Sequence, residues 1–466
     1  MLFSNPFFFL FLAGVYLLYW ALPLRTQNVL LLAASYIFYG LWDWRFLNLL
    51  FGVSVTAYLG GVFIHRLQSI AYKRIVLALV LLANLGCLAY FKYFNFFSAT
   101  FKSILKQAGF HVSESTLAIV LPVGISFFTL RTLHYTLDVY KRKLEPSRDP
   151  ISFLAYVAFF PQLIAGPIER AGNMLPQLMR ERNFDPDKAV DSIGQIIWGL
   201  FQKVVVADNL ALLVDASFNN ITTTSGPQLL FATYCFTFQI YCDFAGYSNI
   251  ALGCGRLLGF DLTQNFRYPY FAHSPAEFWR RWHITLSTWF RDYVYIPLGG
   301  SHGSSLRYAF TILITFSISG LWHGPNWTFV TWGLINGLFF LLFHWPDRRR
   351  FLRSNILNMV LTFHCIMLTW ILFRADTISH ATMALLKIMT PQTWVKLEFY
   401  QNYQILYAIL LIAAFILMEW LQRERPHVLY FERRQCIKRA STFAVVLLSV
   451  LLLGRFTHTP FIYFQF

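Results

Sequence analysis

The sequence predicts an all-α polytopic membrane protein, and three observations carry that expectation. The chain is 57% hydrophobic and 19% aromatic, and only 13% charged, against about 25% in soluble globular proteins. Apolar runs of spanning length recur along all 466 residues, a span needing roughly 20 residues. Basic residues gather in the short segments between those runs, which is the positive-inside pattern.

Taken in order, the runs lie near 5–24, 28–45, 46–64, 75–91, 117–139, 151–168, 190–214, 228–252, 307–322, 326–343, 355–373, 402–420 and 440–456. Some suit re-entrant or interfacial helices, so about 11–13 membrane-embedded helices are expected. The opening stretch MLFSNPFFFLFLAGVYLLYW lacks the basic n-region and small-residue cleavage site of a secretory signal, and is read as a retained first span. No repeat, low-complexity tract or soluble insertion interrupts the pattern. A single membrane domain over 1–466 is expected, with its motifs densest over 117–343.

The net charge of +16 would suggest nucleic acid in a soluble domain. Here the charge sits in loops, without an interleaved aromatic–basic motif, so nucleic-acid binding is set aside. The six cysteines form no C-x-x-C pair and fall mostly inside apolar runs, so neither a disulfide framework nor a zinc site is expected. The densest basic loops, DRRRFLR (347–353) and QRERPHVLYFERRQCIKR (422–439), are assigned to the cytoplasm. Counting back, 65–74 and 141–148 fall on that side too, which puts His323 toward the extracytoplasmic face.

The stretch SPAEFWRRWHITLSTWFRDYVYIPLGG (274–300) opens on a helix-start signal: Ser274 as cap, Pro275 first, and Glu277 three residues on. Trp279, Trp282, Leu286, Trp289, Phe290 and Tyr293 recur at helical spacing, with Arg280, His283, Ser287 and Arg291 as a separate polar stripe. The spacing predicts one amphipathic helix ending at Pro297. An interfacial helix at the headgroups accounts for both stripes. Paired cations also suit an anionic ligand, such as nucleotide phosphates or a lipid headgroup.

SISGLWHGPNW (317–327) places His323 where Gly324-Pro325 must break a helix, with Asn326 able to cap the next. Broken backbone at membrane depth is tolerated only inside protein or along a wet cavity. Position alone leaves open a general base and a structural histidine held by one hydrogen bond. In TFQIYCDFAGYSNIALG (237–253), Gln239, Asp243 and Tyr247 share a helical face. Asp243 is either functional or paired with an arginine such as one of 280–291. FPQLIAGPIER (160–170) reads as a re-entrant loop or kinked span, with Glu169 and Arg170 at its end. In LPVGISFFTLRTLHYTLDVY (121–140), Arg131, His134 and Asp138 can share a face as a local ion pair. No G-x-S-x-G, P-loop or H-E-x-x-H pattern is present, so a serine nucleophile and a metal hydrolase are unsupported. HYTLD (134–138) is one residue short of H-x4-D.

Together these stretches resemble the membrane-bound O-acyltransferase (MBOAT) superfamily, in its bacterial alginate O-acetyltransferase (AlgI-like) branch. The resemblance rests on LPVGISFFT (121–129), FPQLIAGPIER (160–170), YCDFAGYSNIALG (241–253), NFRYPYFAHSPAEFWRRWHITLSTWFRDYVYIPLGG (265–300), SGLWHGPNWTFVTWG (319–333), FRA (373–375) and the ending PFIYFQF, in family order over nearly the whole chain. Asn249 departs from the branch's usual G-Y-S-D, and LRTLH (130–134) from its usual Gln- and Ser-containing version.

The resemblance implies the MBOAT fold around a central tunnel, with an acyl thioester entering from the cytoplasm and a hydroxyl acceptor from outside. It implies His323 as the catalytic residue and His283 as the second signature histidine. Arg280, Arg281, Ser287, Arg291, Asp243, Gln239, Tyr247 and Asn326 are candidates for binding donor or acceptor. Acetyl-CoA is expected as donor substrate, with no metal and no tightly bound cofactor. Expected partners are a polysaccharide acceptor, membrane lipids and an extracytoplasmic SGNH-type acetyltransferase. The expected location is the bacterial cytoplasmic (inner) membrane. Alginate or a similar exopolysaccharide is the first expectation for the acceptor, with peptidoglycan, cellulose and D-alanyl transfer to a cell-wall polymer as alternatives. A glycan or lipid-precursor transporter would also need many spans and broken helices, but the matched interrupted segments of two halves are missing.

Overall fold

The computed structural model describes residues 3, 5–112, 117–344, 354–394, 402–431, 435–456 and 461–462. The basic loop 347–353 lies outside the described residues, as do 432–434 of the second loop and all of PFIYFQF except Phe461 and Ile462. Every regular element among the described residues is helical.

Most apolar runs become the helices expected of them: Pro6–Trp20, Leu24–Asp43, Leu47–Arg66, Gly226–Leu257, Ser305–His323, Trp327–His344, Asn355–Arg374, Asn402–Leu421 and Cys436–Leu453. Continuous helical runs over Leu24–Arg66, Ile70–Gln107 and Pro186–Phe218, with Asn355–Arg374, Tyr403–Leu421 and Cys436–Leu453, are long and apolar enough to cross a membrane. The long helix Gly226–Leu257 is not among them. Most of its polar residues, Gln239 and Asp243 included, are buried in protein, so its hydropathy need not match lipid. Two runs depart from expectation. Helix starts only at Ile125 in the 117–139 run, because Gly124 turns left-handed (φ 76°) and a Cβ there would meet the Leu163 carbonyl oxygen at 2.8 Å. The 151–168 run is helical only as Pro150–Ala158, and restarts as the short turn Phe160–Leu163.

The helices divide into two compact units: residues 1–185 with 254–262, and residues 186–253 with 263–466. In the first, the broken stretch 155–169 is buried throughout, as irregular backbone at membrane depth requires. Arg131 secures it by donating to the carbonyls of Val157, at 2.8 Å, and of Gln162. Arg131 therefore staples loop backbone instead of joining the local ion pair its spacing allowed.

In the second unit, Ser305–His323 and Trp327–His344 form an antiparallel hairpin. Gly320 and Gly333 let the two backbones meet: a Cβ on Gly320 would sit 2.1 Å from the Phe329 carbonyl oxygen, and one on Gly333 2.2 Å from that of Phe316. Small residues at a helix crossing are the membrane solution to close packing.

Candidate active site

The segment 274–300 is capped as its sequence predicts. Ser274 Oγ accepts from Glu277 N at 3.2 Å, and Glu277 Oε2 accepts from His273 N at 2.8 Å. It is not one helix, however. Helix Pro275–Arg281 ends at Trp282, His283 adopts a left-handed conformation (φ 42°, ψ 54°), and a second helix runs Ile284–Phe290 before a π-turn at Arg291–Tyr295. A non-glycine residue held there stores local strain, which surrounding contacts must offset.

Those contacts are specific. His283 is 1% exposed, and its Nδ1 lies 3.1 Å from Asn265 Oδ1. The same oxygen accepts from Thr285 N at 3.3 Å and Thr285 Oγ at 2.9 Å, and Ile284 N donates to the Asn265 carbonyl at 2.9 Å. A backbone N–H can only donate, so this Asn265 atom is the amide oxygen and His283 Nδ1 carries the proton between them. In the neutral ring the lone pair then resides on Nε2. Asn265 thus clamps the left-handed turn and sets the tautomer.

His323 is the last residue of its helix, and the chain breaks at Gly324 (φ −158°, ψ 151°). Asn326 caps the next helix as expected: its Oδ1 accepts from Thr328 N at 3.1 Å, while its Nδ2 donates to the Asp376 carbonyl at 2.8 Å. Trp322, Trp332 and Phe373 surround the imidazole, with ring centroids 5.1, 5.2 and 5.5 Å away. Arg374, next to Phe373, is pinned to Asp215 at 2.8 Å and Asn219 at 3.0 Å. The FRA stretch therefore supplies one wall and its anchor.

The two histidine rings lie 6.4 Å apart, and both line one cavity of about 350 Å³. Arg280, Ser287 and Arg291 line it too, with Tyr308, Thr315 and Ser319 from the facing helix. Arg280 and Arg291 are exposed, which puts cations at the opening and imidazoles in the depth. The cavity therefore offers two neutral-capable bases, an aromatic wall and cationic groups at its mouth. That combination suits proton transfer on a bound, anionically tailed substrate.

The other candidate residues lie elsewhere. Arg281 pairs with Glu277 at 2.5 Å and does not line the cavity. Asp243 shares Lys203 with Asp208, the ammonium lying 2.6 and 2.9 Å from the two carboxylates, and its second oxygen accepts from Ile462 N at 2.7 Å. The partner is a lysine from 40 residues upstream, not an arginine of 280–291. Tyr247 packs on Phe461, ring centroids 5.0 Å apart, and Gln239 is buried on the same helix. Asp243 and Tyr247 thus hold Ile462 and Phe461. Asn249 lies between two glutamines: its Oδ1 accepts from Gln195 at 3.0 Å and its Nδ2 donates to Gln202 at 2.7 Å. An aspartate could not donate the second bond.

Comparison with known proteins agrees with this architecture. The family model "MBOAT, membrane-bound O-acyltransferase family" matches residues 66–375. The chain is 35% identical to the "Probable alginate O-acetylase AlgI" of Azotobacter vinelandii over 99% of each chain. It is 34% identical to the "Peptidoglycan O-acetyltransferase" of Helicobacter pylori over 100% of this chain and 98% of that one. It is 38% identical to the "Probable alginate O-acetylase AlgI" of Pseudomonas aeruginosa over 84% of this chain and 75% of the relative. Matched along its motif-bearing region and alongside full-length relatives, the chain belongs to the membrane-bound O-acyltransferase family and is a multi-pass membrane acyltransferase.

Proposed function

We propose that this enzyme moves an acetyl group from cytoplasmic acetyl-CoA to a hydroxyl of an extracytoplasmic glycan, with His323 as general base. The observation that carries the reading is the shared cavity: His323 and His283 at its depth and Arg280 and Arg291 at its opening. In the reaction, the imidazole of His323 takes the proton of the acceptor hydroxyl, on the glycan or on a serine of the partner that delivers to it, as its oxygen attacks the thioester carbonyl carbon. The carbon–sulfur bond breaks, and the imidazolium returns the proton to the departing thiolate. His283, its tautomer set by Asn265, orients or polarises the reacting groups. Arg280 and Arg291 hold the donor's phosphates, as guanidinium groups do well.

A cavity of about 350 Å³ lies at the small end of ligand sites, roughly 300–1,000 Å³, which favours a short acyl group. Relatives of near-equal identity are named for alginate and for peptidoglycan. Their shared chemistry, a glycan hydroxyl outside the membrane, is therefore the substrate class. Alginate or a similar exopolysaccharide is the preferred acceptor, with delivery through an SGNH-type partner in the bacterial inner membrane.

The test uses the full chain in vesicles with labelled acetyl-CoA on one side and, on the other, glycan acceptors with and without an SGNH-type partner. Label should cross to the glycan, and H323A should lower transfer by about 10²–10⁴. Transfer that survives H323A would remove the base role. Glycan movement without acetyl-CoA turnover would favour a transporter.

A further inference from the structure

Glu419 takes no part in the chemistry above. It sits in Tyr403–Leu421, a helix long and apolar enough to span a membrane, and is 4% exposed. Its Oε1 accepts the Tyr241 hydroxyl at 2.8 Å. Among the described residues no lysine, arginine or histidine pairs with it. A carboxyl so placed must keep its proton or take a cation.

The space beside it favours a cation. Glu419 lines a second cavity, of about 310 Å³, whose walls are Tyr234, Phe238, Tyr270, Phe363 and Phe415. Aromatic faces attract ammonium groups, and a carboxylate among them completes the site. The cavity's own histidine, His364, is engaged elsewhere: Nδ1 donates to the Val360 carbonyl at 2.8 Å, and Nε2 meets the Tyr234 hydroxyl at 2.7 Å.

Location identifies the source of the cation. Val360 lines the cavity and is 45% exposed, on the flank of the spanning helix Asn355–Arg374. Trp420, beside Glu419, is also exposed, and Arg423 stacks over its ring at 4.3 Å. Tryptophan and arginine at a helix end mark headgroup level. The carboxyl therefore lies within about a turn of the headgroups, in a cavity bordered by exposed apolar helix.

We propose that this cavity binds the ammonium headgroup of a membrane phospholipid, with the amine against Glu419 and the acyl chains along the flanks of Asn355–Arg374 and Tyr403–Leu421. The proposal is independent of the acyl-transfer reading. To test it, the delipidated full chain is titrated by native mass spectrometry with phosphatidylethanolamine, phosphatidylcholine and phosphatidylglycerol of matched chains. Ammonium lipids should be retained over phosphatidylglycerol by about tenfold, the scale of one lost charge-assisted contact. E419Q should erase that preference, and V360W, which narrows the rim, should reduce retention while leaving Glu419 in place. Equal retention of the three lipids by the native chain, or an undiminished preference in E419Q, would overturn the proposal. Displacement of bound lipid by free ethanolamine at equal concentration would overturn the lipid assignment. Lipid retention is the readout, so a failed acyl-transfer assay leaves this test intact.

Discussion

His134 and His323 look alike in the sequence and differ in the fold. Each sits in a helix among apolar neighbours, and they are 0% and 3% exposed. His134 has both nitrogens committed. Nδ1 donates to the Leu130 carbonyl at 3.0 Å, and Nε2 lies 3.0 Å from both the Tyr156 hydroxyl and the Ala171 N–H that donates to it. It is a pin holding the first unit's broken loop. His323 stands at a helix end, flanked by aromatic rings, with its imidazole lining the cavity that also holds His283. Burial therefore does not mark a histidine for chemistry in a membrane chain. What separates the two histidines is the cavity that His323 shares with other polar groups.

The largest effect expected is on His323. H323A should cost about 10²–10⁴ in acetyl transfer per folded molecule. The same assay on folded H134A should show a near-native rate per molecule; a dead but folded H134A would erase the contrast drawn above. Next comes K203M. It leaves the buried carboxylates of Asp208 and Asp243 without their shared ammonium, and removing one partner of a buried pair costs about 3–5 kcal/mol. Unfolding in detergent should report it, and a native-like midpoint would mean the cluster is not ionised as drawn.

H134A follows. It strips the acceptor from Ala171 N–H, and an orphaned buried donor costs about 1–3 kcal/mol. This loss should appear in stability alone. The smallest change that still reaches the rate is expected for N265A, which frees His283 to change tautomer and removes the clamp on its left-handed turn. One hydrogen bond of this kind corresponds to about a tenfold loss of rate at most. If N265A left the rate untouched while H283A abolished it, tautomer control would be discarded and His283 kept.

The spans were largely legible in the sequence because hydropathy and length act locally. So were the caps at Ser274 and Asn326, which use neighbouring residues. The failures have a common physical form. The periodicity of 274–297 predicts a continuous helix, since alternating stripes cannot reveal a single residue turned to positive φ. Asn265, which holds that turn, lies 18 residues upstream with no periodic relation to His283. Asp243 could be seen to need a cation, but Lys203 comes from another helix. Arg280, Ser287 and Arg291 share the cavity with both histidines, whereas Arg281, one residue from Arg280, points to Glu277.

By itself the sequence determined a helical membrane chain, the break after His323, and its membership of an acyltransferase family. These rest on apolar length, on Gly-Pro backbone chemistry, and on motifs contiguous along the chain. Only the tertiary structure decided which polar residues face an open cavity and which are spent on holding helices together. That depends on contacts between distant segments, where one helix turn or one left-handed residue redirects a side chain from solvent space to a partner.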